Sequence, residues 1–399
     1  MAACCRWPLS AEALAAIRDA ATGPLDWLLI LRVIRRHRVF GLVHNALSAA
    51  KIDVPADVAR DLASRAKNIG WQAMRLAQET LRLQQVFDNE RIPVVVLKGA
   101  AVAQIAYGTL ALKQSLDVDL LIPPDRARDA VCLLEKDGYH LRDPAAKLDD
   151  AQWRCLRHLG SEVLLVDRAR GLMVELRWRA AENMLLFKNV DFFAHTIDVA
   201  LSEGVLRTFD DNNQFVYLCV HGARHGWYRL KWLADLNAVL ANRDDAVVER
   251  LFAYAHSIGS GPCAGLALLL CSRLLTLKLP QALDRRLQKD WRLRLAARIA
   301  LNLMIGPQPD MEAKDRPRRL LAFSLSALPF LLGSGPRYFA RQAWIVSVNI
   351  DDVVKFPMPP WLYILYPILR VPLSIYRQFR VPKRGIKKPE RDRVNVPPD

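Results

Sequence analysis

The sequence lacks the cysteine spacing, the long apolar run and the leader that mark several classes of protein. Its seven cysteines are scattered and never spaced as C-x-x-C, so neither a zinc ribbon nor a disulfide framework is indicated. No stretch of about 20 residues is apolar and free of charge and proline, as a clean membrane-spanning helix would be. The first residues lack the basic start and continuous apolar run of a secretory signal. We therefore expect a cytoplasmic protein.

The chain carries an excess of positive charge. Lysine and arginine number 57 against 41 acidic residues, a formal net charge of +16. Such an excess attracts phosphates, whether they belong to a nucleotide, a nucleic acid or an anionic lipid. No RNP signature or C₂H₂ spacing accompanies the charge, so a dedicated nucleic-acid module is not indicated.

Part of this charge lies at the C-terminus, in the stretch 377–393, which follows an aromatic and proline-containing segment. One hypothesis is a weak peripheral contact with an anionic surface such as the inner membrane. The alternative is a helix packed on the rest of the protein with a solvated basic end. The prolines interrupt an amphipathic face and favour the alternative.

The pattern of apolar residues divides the chain into four regions. Helical spacing dominates 1–91, short β-branched runs appear in 92–182, helical spacing returns in 183–350, and 351–399 is rich in proline and basic residues. We expect an α+β fold in which a small mixed sheet lies between N-terminal helices and a larger C-terminal helical region. From about residue 185 onward the chain is expected to be mainly helical. Helices are predicted near 211–226, 229–241, 246–257 and 262–277.

Four strands are predicted in the central region. They are 92–97, 116–122, 162–166 and 172–178. The polar turn at 167–171 makes the last two a predicted hairpin.

Two aspartates in the second of these strands are the sharpest feature of the sequence. Because side chains alternate along a strand, Asp117 and Asp119 share one face, with Cα atoms about 6–7 Å apart, while Val118 and Leu120 can face a core. Carboxylates held this way repel each other unless a cation lies between them, and hard oxygen ligands suit Mg²⁺ or Mn²⁺. The alternative is an edge strand with two solvated aspartates. The apolar neighbours favour the metal site.

A third carboxylate lies on the strand 172–178. Glu175 shares a face with Met173 and Arg177. If the two strands are neighbours, Glu175 can complete a site of three carboxylates, as a metal ligand or as a base. The alternative is a surface Glu–Arg pair on an edge strand, and the sequence leaves both open.

The third feature that indicates a functional site is the predicted strand that ends at Lys98-Gly99 and leads into a helix. Such a junction exposes backbone N–H groups that can hold a phosphate, and Lys98 adds a cation. Strand–glycine–helix junctions are common in mixed folds, so the signal is weak by itself.

Two histidines four residues apart share a helix face. His221 and His225 lack the adjacent glutamate of H-E-x-x-H, so a zinc site is not favoured. They either line a substrate cleft or make buried hydrogen bonds to the sheet. Asp235 is expected to hold Lys231, Arg229 or a histidine in a structural salt bridge.

These residues resemble a bacterial family of uncharacterised nucleotidyltransferases within the DNA-polymerase-β-like nucleotidyltransferase superfamily. The resemblance covers roughly 70–240 and lies in Leu97-Lys98-Gly99, Tyr107-Gly108, Lys113-x-Ser115-x-Asp117-x-Asp119, Gly138-Tyr139, Glu175-Leu176-Arg177-Trp178, His221, His225 and Leu230-Lys231-Trp232-x-x-Asp235. Two positions depart from the family pattern: Lys113 stands where arginine is usual, and Arg177 replaces a histidine. Lys98-Gly99 fits the family pattern but stands where the wider superfamily usually carries Gly-Ser.

The resemblance implies a polymerase-β-like core that binds an NTP as its Mg²⁺ or Mn²⁺ complex and transfers a nucleotidyl group to an acceptor hydroxyl. Asp117, Asp119 and Glu175 would be the catalytic metal ligands. The candidates for nucleotide contact are Lys98, Gly99, Lys113 and Ser115, and the substrate-cleft candidates are His221, His225 and Arg177.

The acceptor is not identified by the residues. A small molecule, a peptide or a protein all fit, and the resemblance suggests polysaccharide or peptide natural-product biosynthesis. The alternative is a non-catalytic nucleotide-binding or scaffold protein with a degenerate form of the fold, which the departures at Lys113 and Arg177 support.

Overall fold

A computed structural model describes residues 1–144, 148–306 and 317–369. The strands are β1 Val95–Val96, β2 Val118–Leu121, β3 His140–Asp143, β4 Glu162–Asp167, β5 Leu172–Arg177, β6 Thr196–Leu201 and β7 Gly204–Phe209. The helices are α1 Ala11–Ala20, α2 Trp27–His37, α3 Phe40–Ala50, α4 Ala56–Asn89, α5 Ala100–Tyr107, α6 Ala127–Lys136, α7 Asp150–Leu159, α8 Asp211–Arg224, α9 Leu230–Leu240, α10 Asp245–Ser257, α11 Gly261–Leu275, α12 Gln281–Lys289, α13 Trp291–Ile305, α14 Pro317–Leu331, α15 Pro336–Ser347 and α16 Ile350–Lys355.

The seven strands form one mixed sheet in the order β3-β4-β5-β2-β1-β7-β6. Strand β2 lies inside it, parallel to β5 and antiparallel to β1. Strands β4 and β5 are antiparallel neighbours, which confirms the predicted hairpin. The α+β prediction is therefore confirmed, as are the four helices predicted between 211 and 277, although β1 is much shorter than the predicted strand 92–97.

Two strands lie where the chain was expected to be mainly helical, and this part of the prediction was wrong. Strands β6 and β7 form an antiparallel hairpin, and β7 joins the sheet by pairing in parallel with β1 through Val96 and Thr208. Strand β6 is at the edge of the sheet and mostly solvent-accessible, and its short run of apolar residues, Val199-Ala200-Leu201, does not distinguish a strand from a helix. The sheet therefore runs across the predicted boundary at 182–183, and the division into regions stays a prediction.

The sheet separates two apolar cores. Val118 and Leu120 of β2 pack in the core shared with α4 and α6, whereas Leu121 packs in the core shared with α8 and α9. Because successive side chains of a strand point to opposite faces, Asp119 lies on the same face as Leu121. The acidic face of β2 is thus turned toward the C-terminal helices.

The N-terminal helices contact those same C-terminal helices. The ring of His37, at the end of α2, accepts a hydrogen bond from the backbone N–H of Leu230 at 3.1 Å. The residue that begins α9 is thereby fixed to the N-terminal region.

The described part of the C-terminal tail packs against α7. Tyr363 and Tyr366 are buried in a small cluster with Cys155, while Trp361 is 75% exposed. The basic run 377–393 lies outside the described residues, so neither the hypothesis of a membrane contact nor the favoured alternative of a solvated basic end is tested. None of the described helices is both long and apolar enough to cross a membrane.

Candidate active site

The two aspartates are held by an interior strand. Asp119 is in β2 and only 4% exposed, and Asp117, directly before the strand, is half-buried. Since β2 lies between β1 and β5, the alternative of solvated aspartates on an edge strand is wrong.

Glu175 joins the aspartates. It is the register partner of Asp119 in the parallel pair of β2 and β5. Oxygen atoms of Asp117, Asp119 and Glu175 all lie within 4.8 Å of one another. Three carboxylates at this spacing are a donor set that suits Mg²⁺ or Mn²⁺. Among the residues that the structure describes, this is the one group of three or more acidic, histidine or cysteine side chains with such spacing.

Lys98 supplies positive charge to this group. Its ammonium Nζ lies 2.8 Å from Oδ1 of Asp119. Burial raises the pKa of Asp119 to about 7, because the lowering effect of Lys98 is outweighed by burial together with the charges of Asp117 and Glu175. Burial alone would lower the pKa of Lys98, but the carboxylates, Asp119 above all, raise it overall, so the lysine stays charged.

Arg177 holds Glu175 from the same strand. Its Nε donates a hydrogen bond to Oε1 of Glu175 at 2.6 Å, and its guanidinium also pairs with Glu162. Burial favours the neutral acid, but Arg177 and Lys98 lower the pKa of Glu175 overall and keep it ionised. Arg177 is 2% exposed and β5 is an interior strand, so the surface-pair alternative is wrong.

A cavity opens on the acidic face of the sheet. Its lining residues are Lys98, Gly99, Lys113, Ser115, Asp117, Asp119, Leu218, His221, Lys231, Trp232 and Asp235. The structure thus brings together all four residues that the sequence offered for nucleotide contact. Three predicted site residues are not among the lining residues: the catalytic candidate Glu175 and the cleft candidates Arg177 and His225.

Gly99 shapes one wall of the cavity. It caps α5 with a φ of +63° and a ψ of −125°, a conformation that residues with a side chain rarely adopt. A Cβ atom built there would meet nothing within 4 Å, so the backbone borders open space.

Asp235 has partners other than those expected. It pairs with the ammonium of Lys113 and accepts a hydrogen bond from the hydroxyl of Tyr107 at 2.9 Å. The expected structural salt bridge of Asp235 is therefore present, but its cation is Lys113 and not Lys231, Arg229 or a histidine. Lys113 is 8% exposed, and its charge is neutralised by this buried pair.

The two histidines differ in their surroundings. His221 lines the cavity, with Nε2 3.5 Å from the ammonium of Lys98, and burial lowers its pKa so that it is neutral. His225 stacks on Trp232 with ring centroids 4.9 Å apart. Neither histidine belongs to a metal-binding group within the described residues.

Sequence reasoning did not assign four of the lining residues to the site: Leu218, Lys231, Trp232 and Asp235. The signal for three of them was present, because Lys231, Trp232 and Asp235 stand in one segment of the motif pattern. Their position depends on how α9 packs over the sheet, which the sequence pattern does not specify.

Comparison with known proteins adds a family. No curated protein and no solved structure matched the chain. A family model described as an uncharacterised nucleotidyltransferase matches residues 23–276. This range extends beyond both ends of the region 70–240 in which the sequence motifs lie, and it includes every residue of the cavity. The chain therefore belongs to the family of uncharacterised nucleotidyltransferases.

Proposed function

We propose that this protein is a Mg²⁺- or Mn²⁺-dependent enzyme that transfers a nucleotidyl group from an NTP to a hydroxyl of a small molecule, a peptide or a protein. The observation that carries the proposal is the convergence of Asp117, Asp119 and Glu175 within 4.8 Å, with both aspartates at a cavity that also contains lysines. Family membership supports nucleotidyl transfer in general terms. The identities of the metal ion, of the NTP as donor and of the hydroxyl as acceptor are our proposal.

The three carboxylates would bind the metal ion, and one of them would also accept a proton. Asp117, Asp119 and Glu175 would hold the ion, which when bound supplies positive charge that polarises the phosphate and offsets charge on the leaving group. The acceptor oxygen forms a bond to the α-phosphorus, and the bond from that phosphorus to the bridging oxygen of pyrophosphate breaks. The hydroxyl proton passes to a carboxylate oxygen, for which Glu175 is the candidate because Arg177 fixes its direction; metal-free, Arg177 and Lys98 hold its pKa low, so a turn of Lys98 away from the carboxylates would make it a stronger base.

Lys98 changes partners in this proposal. In the structure its ammonium neutralises Asp119, the charge that a bound ion would take over. Its other neighbour is His221, whose neutral ring imposes no charge that would hold the lysine back. With an ion held by the three carboxylates, Lys98 would be free to turn from Asp119 to a phosphate oxygen, and Gly99 leaves room beside it.

The experiment is consumption of labelled NTPs with Mg²⁺ or Mn²⁺ by the wild type, Asp117→Asn and Asp119→Asn. Asp198→Asn is the matched control, since Asp198 is an exposed aspartate on edge strand β6 of the same sheet. We expect turnover in the wild type and the control and its loss in the two site variants. Turnover that persists in both site variants would contradict the proposal.

A second candidate function is a nucleotide-binding scaffold without turnover. It is favoured by the engagement of two cavity lysines with carboxylates of the protein itself, Lys98 with Asp119 and Lys113 with Asp235. Equal NTP binding and no turnover in the wild type and in Asp117→Asn would support this candidate instead.

A further inference from the structure

Three lysines line the cavity, and they differ in how their charge is balanced. Lys98 pairs with Asp119 and Lys113 with Asp235. The ammonium of Lys231 has only the backbone carbonyl of Gln114, at 3.4 Å, and no ion pair with any residue in the described part of the chain. A carbonyl near the distance limit of a hydrogen bond neutralises little of a full charge.

The surroundings of Lys231 are short of negative charge. Burial is the main cause that lowers its pKa well below the ordinary value, and the neighbouring cations Lys113 and Arg38 lower it further. Asp235 and Asp117 act in the opposite direction without restoring it. The charged form of the Lys231 amine is therefore disfavoured while no anion is near, and an anion that enters the cavity favours that form by supplying the missing counter-ion.

Lys231 also stands on a different wall from the carboxylates. It is in the first turn of α9, the helix that packs over the acidic face of the sheet, whereas Asp119 is in β2 and Asp117 directly precedes that strand. An anionic ligand with one end at the carboxylate-bound ion therefore meets Lys231 with another part of its length. The N-terminal end of a helix adds favourable potential for that anion.

We infer that Lys231 is the principal phosphate-binding cation of the cavity and that its ligand is the polyphosphate end of a nucleoside triphosphate. The inference rests on the proposed function. It assigns to Lys113 a positioning role, in which it holds Asp235, and not the phosphate contact that the sequence suggested. It leaves Lys98 to exchange between Asp119 and the phosphate nearest the ion.

The test is the binding of inorganic triphosphate to the full chain, by calorimetry and with metal removed by chelation. Lys231→Met removes the charge and keeps the length of the side chain, Lys231→Arg restores a cation, and Lys67→Met makes the same charge change at an exposed position of α4. We expect Lys231→Met to bind about tenfold more weakly or worse, Lys231→Arg to recover most of the affinity, and Lys67→Met to bind as the wild type does. Unchanged affinity in Lys231→Met would overturn the inference.

A measurement on the wild type covers the case in which Lys231→Met does not fold. The protein is treated with an amine-acylating reagent with and without saturating triphosphate, and the modified peptides are quantified by mass spectrometry. We expect triphosphate to reduce acylation of Lys231 several-fold and to leave that of Lys67 unchanged. Equal acylation of Lys231 in both conditions would contradict the inference.

The outcomes distinguish failure of the phosphate subsite, meaning the binding of triphosphate by Lys231, from failure of the proposed reaction. Triphosphate binding that depends on Lys231, together with no metal-dependent NTP turnover, would retain the subsite and reject the proposed function. Turnover that depends on Asp117, together with triphosphate binding that ignores Lys231, would retain the function and reject the subsite.

Discussion

Asp119 and Glu175 are register partners on two adjacent parallel strands, β2 and β5. Their side chains lie on one face of the sheet, and their separation is set by the inter-strand spacing of about 4.8 Å. The oxygen ligands of the candidate metal site are therefore positioned mainly by backbone pairing. Arg177 fixes one of them further, since it donates to Glu175 from the same strand.

Metal binding is expected to stabilise the protein through Asp119. Mn²⁺ at about 100 times its dissociation constant adds about 2.7 kcal/mol to the free energy of unfolding. In Asp119→Asn that increment is expected to disappear, because a neutral amide replaces a charged ligand. Melting temperatures with and without Mn²⁺ measure it, with Asp198→Asn as the control that keeps the shift. An equal shift in Asp119→Asn would show that the ion binds elsewhere.

The affinity for metal is expected to rise with pH around neutrality. Burial raises the pKa of Asp119 to about 7, so a proton occupies the site below that value and the metal must displace it. Affinity is expected to fall by up to about tenfold per pH unit below pH 7 and to level off above pH 8. Titrations with Mn²⁺ at pH 6, 7 and 8 test this, and a flat profile would contradict it.

The pH dependence that Asp119 gives to the free energy of unfolding has the opposite sign to that of most aspartates. The pKa of Asp119 in the folded, metal-free protein is higher than the ordinary value of 3.8, so the folded state binds the proton more tightly. The contribution of Asp119 to stability is present below about pH 4 and is lost as the pH rises through about 7. Asp119→Asn is expected to remove that part of the pH dependence, which denaturant titrations at pH 5 and pH 8 measure.

Removal of Arg177 is expected to destabilise the fold. Arg177→Met removes the buried cation that Glu175 and Glu162 share and leaves Arg224 as the ion-pair partner of Glu162, a loss that costs about 3 kcal/mol. The matched control is Arg207→Met, because the pair of Arg207 with Asp88 is more than a third exposed on the arginine side. Its loss is expected to cost less than about 1 kcal/mol. Urea denaturation compares the two, and equal losses would contradict the role assigned to Arg177.

Gly99→Ala is expected to weaken nucleotide binding as well as stability. The backbone conformation of Gly99, with a φ of +63° and a ψ of −125°, costs about 1–3 kcal/mol for a residue with a Cβ atom. Gly108→Ala is the control, since Gly108 has a φ of +66° at the other end of the same helix and its Cβ would also meet nothing within 4 Å. Both variants are expected to melt earlier, but only Gly99→Ala alters the wall of the cavity. If both variants bind NTP as the wild type does, Gly99 does not border the bound nucleotide.

Local pattern was sufficient to predict the acidic face. The alternation around Asp117 and Asp119 follows from strand geometry, and the apolar neighbours of both residues indicated an interior strand. The hairpin that brings Glu175 to the sheet was marked by its polar turn. These features depend on residues close together in the chain, where sequence patterns are most informative.

Long-range pairing was not predictable in the same way. The partner of Asp235 is Lys113, which lies 122 residues away, and no local rule selects it over the nearby Lys231. Strands β6 and β7 belong to the sheet because β7 pairs with β1. The sequence of a half-exposed hairpin carries no local pattern that specifies this pairing. The cavity lining depends on the same packing, which is why Lys231 and Trp232 were recognised only in the structure.

A single residue, Asp210, connects β7 to α8, so the helix that carries His221 continues directly from a strand bonded to β1. Thr208 donates to the carbonyl of Val96 at 2.6 Å, and Gln214 donates to that of Leu97 at 3.3 Å. Helix α8, which lines the cavity through His221, is in this way hydrogen-bonded at one side to the sheet that carries the aspartates. We therefore expect substrates to enter the cavity by rearrangement of side chains such as Lys98 and Trp232. A hinge motion that moves α8 away from the sheet is not expected.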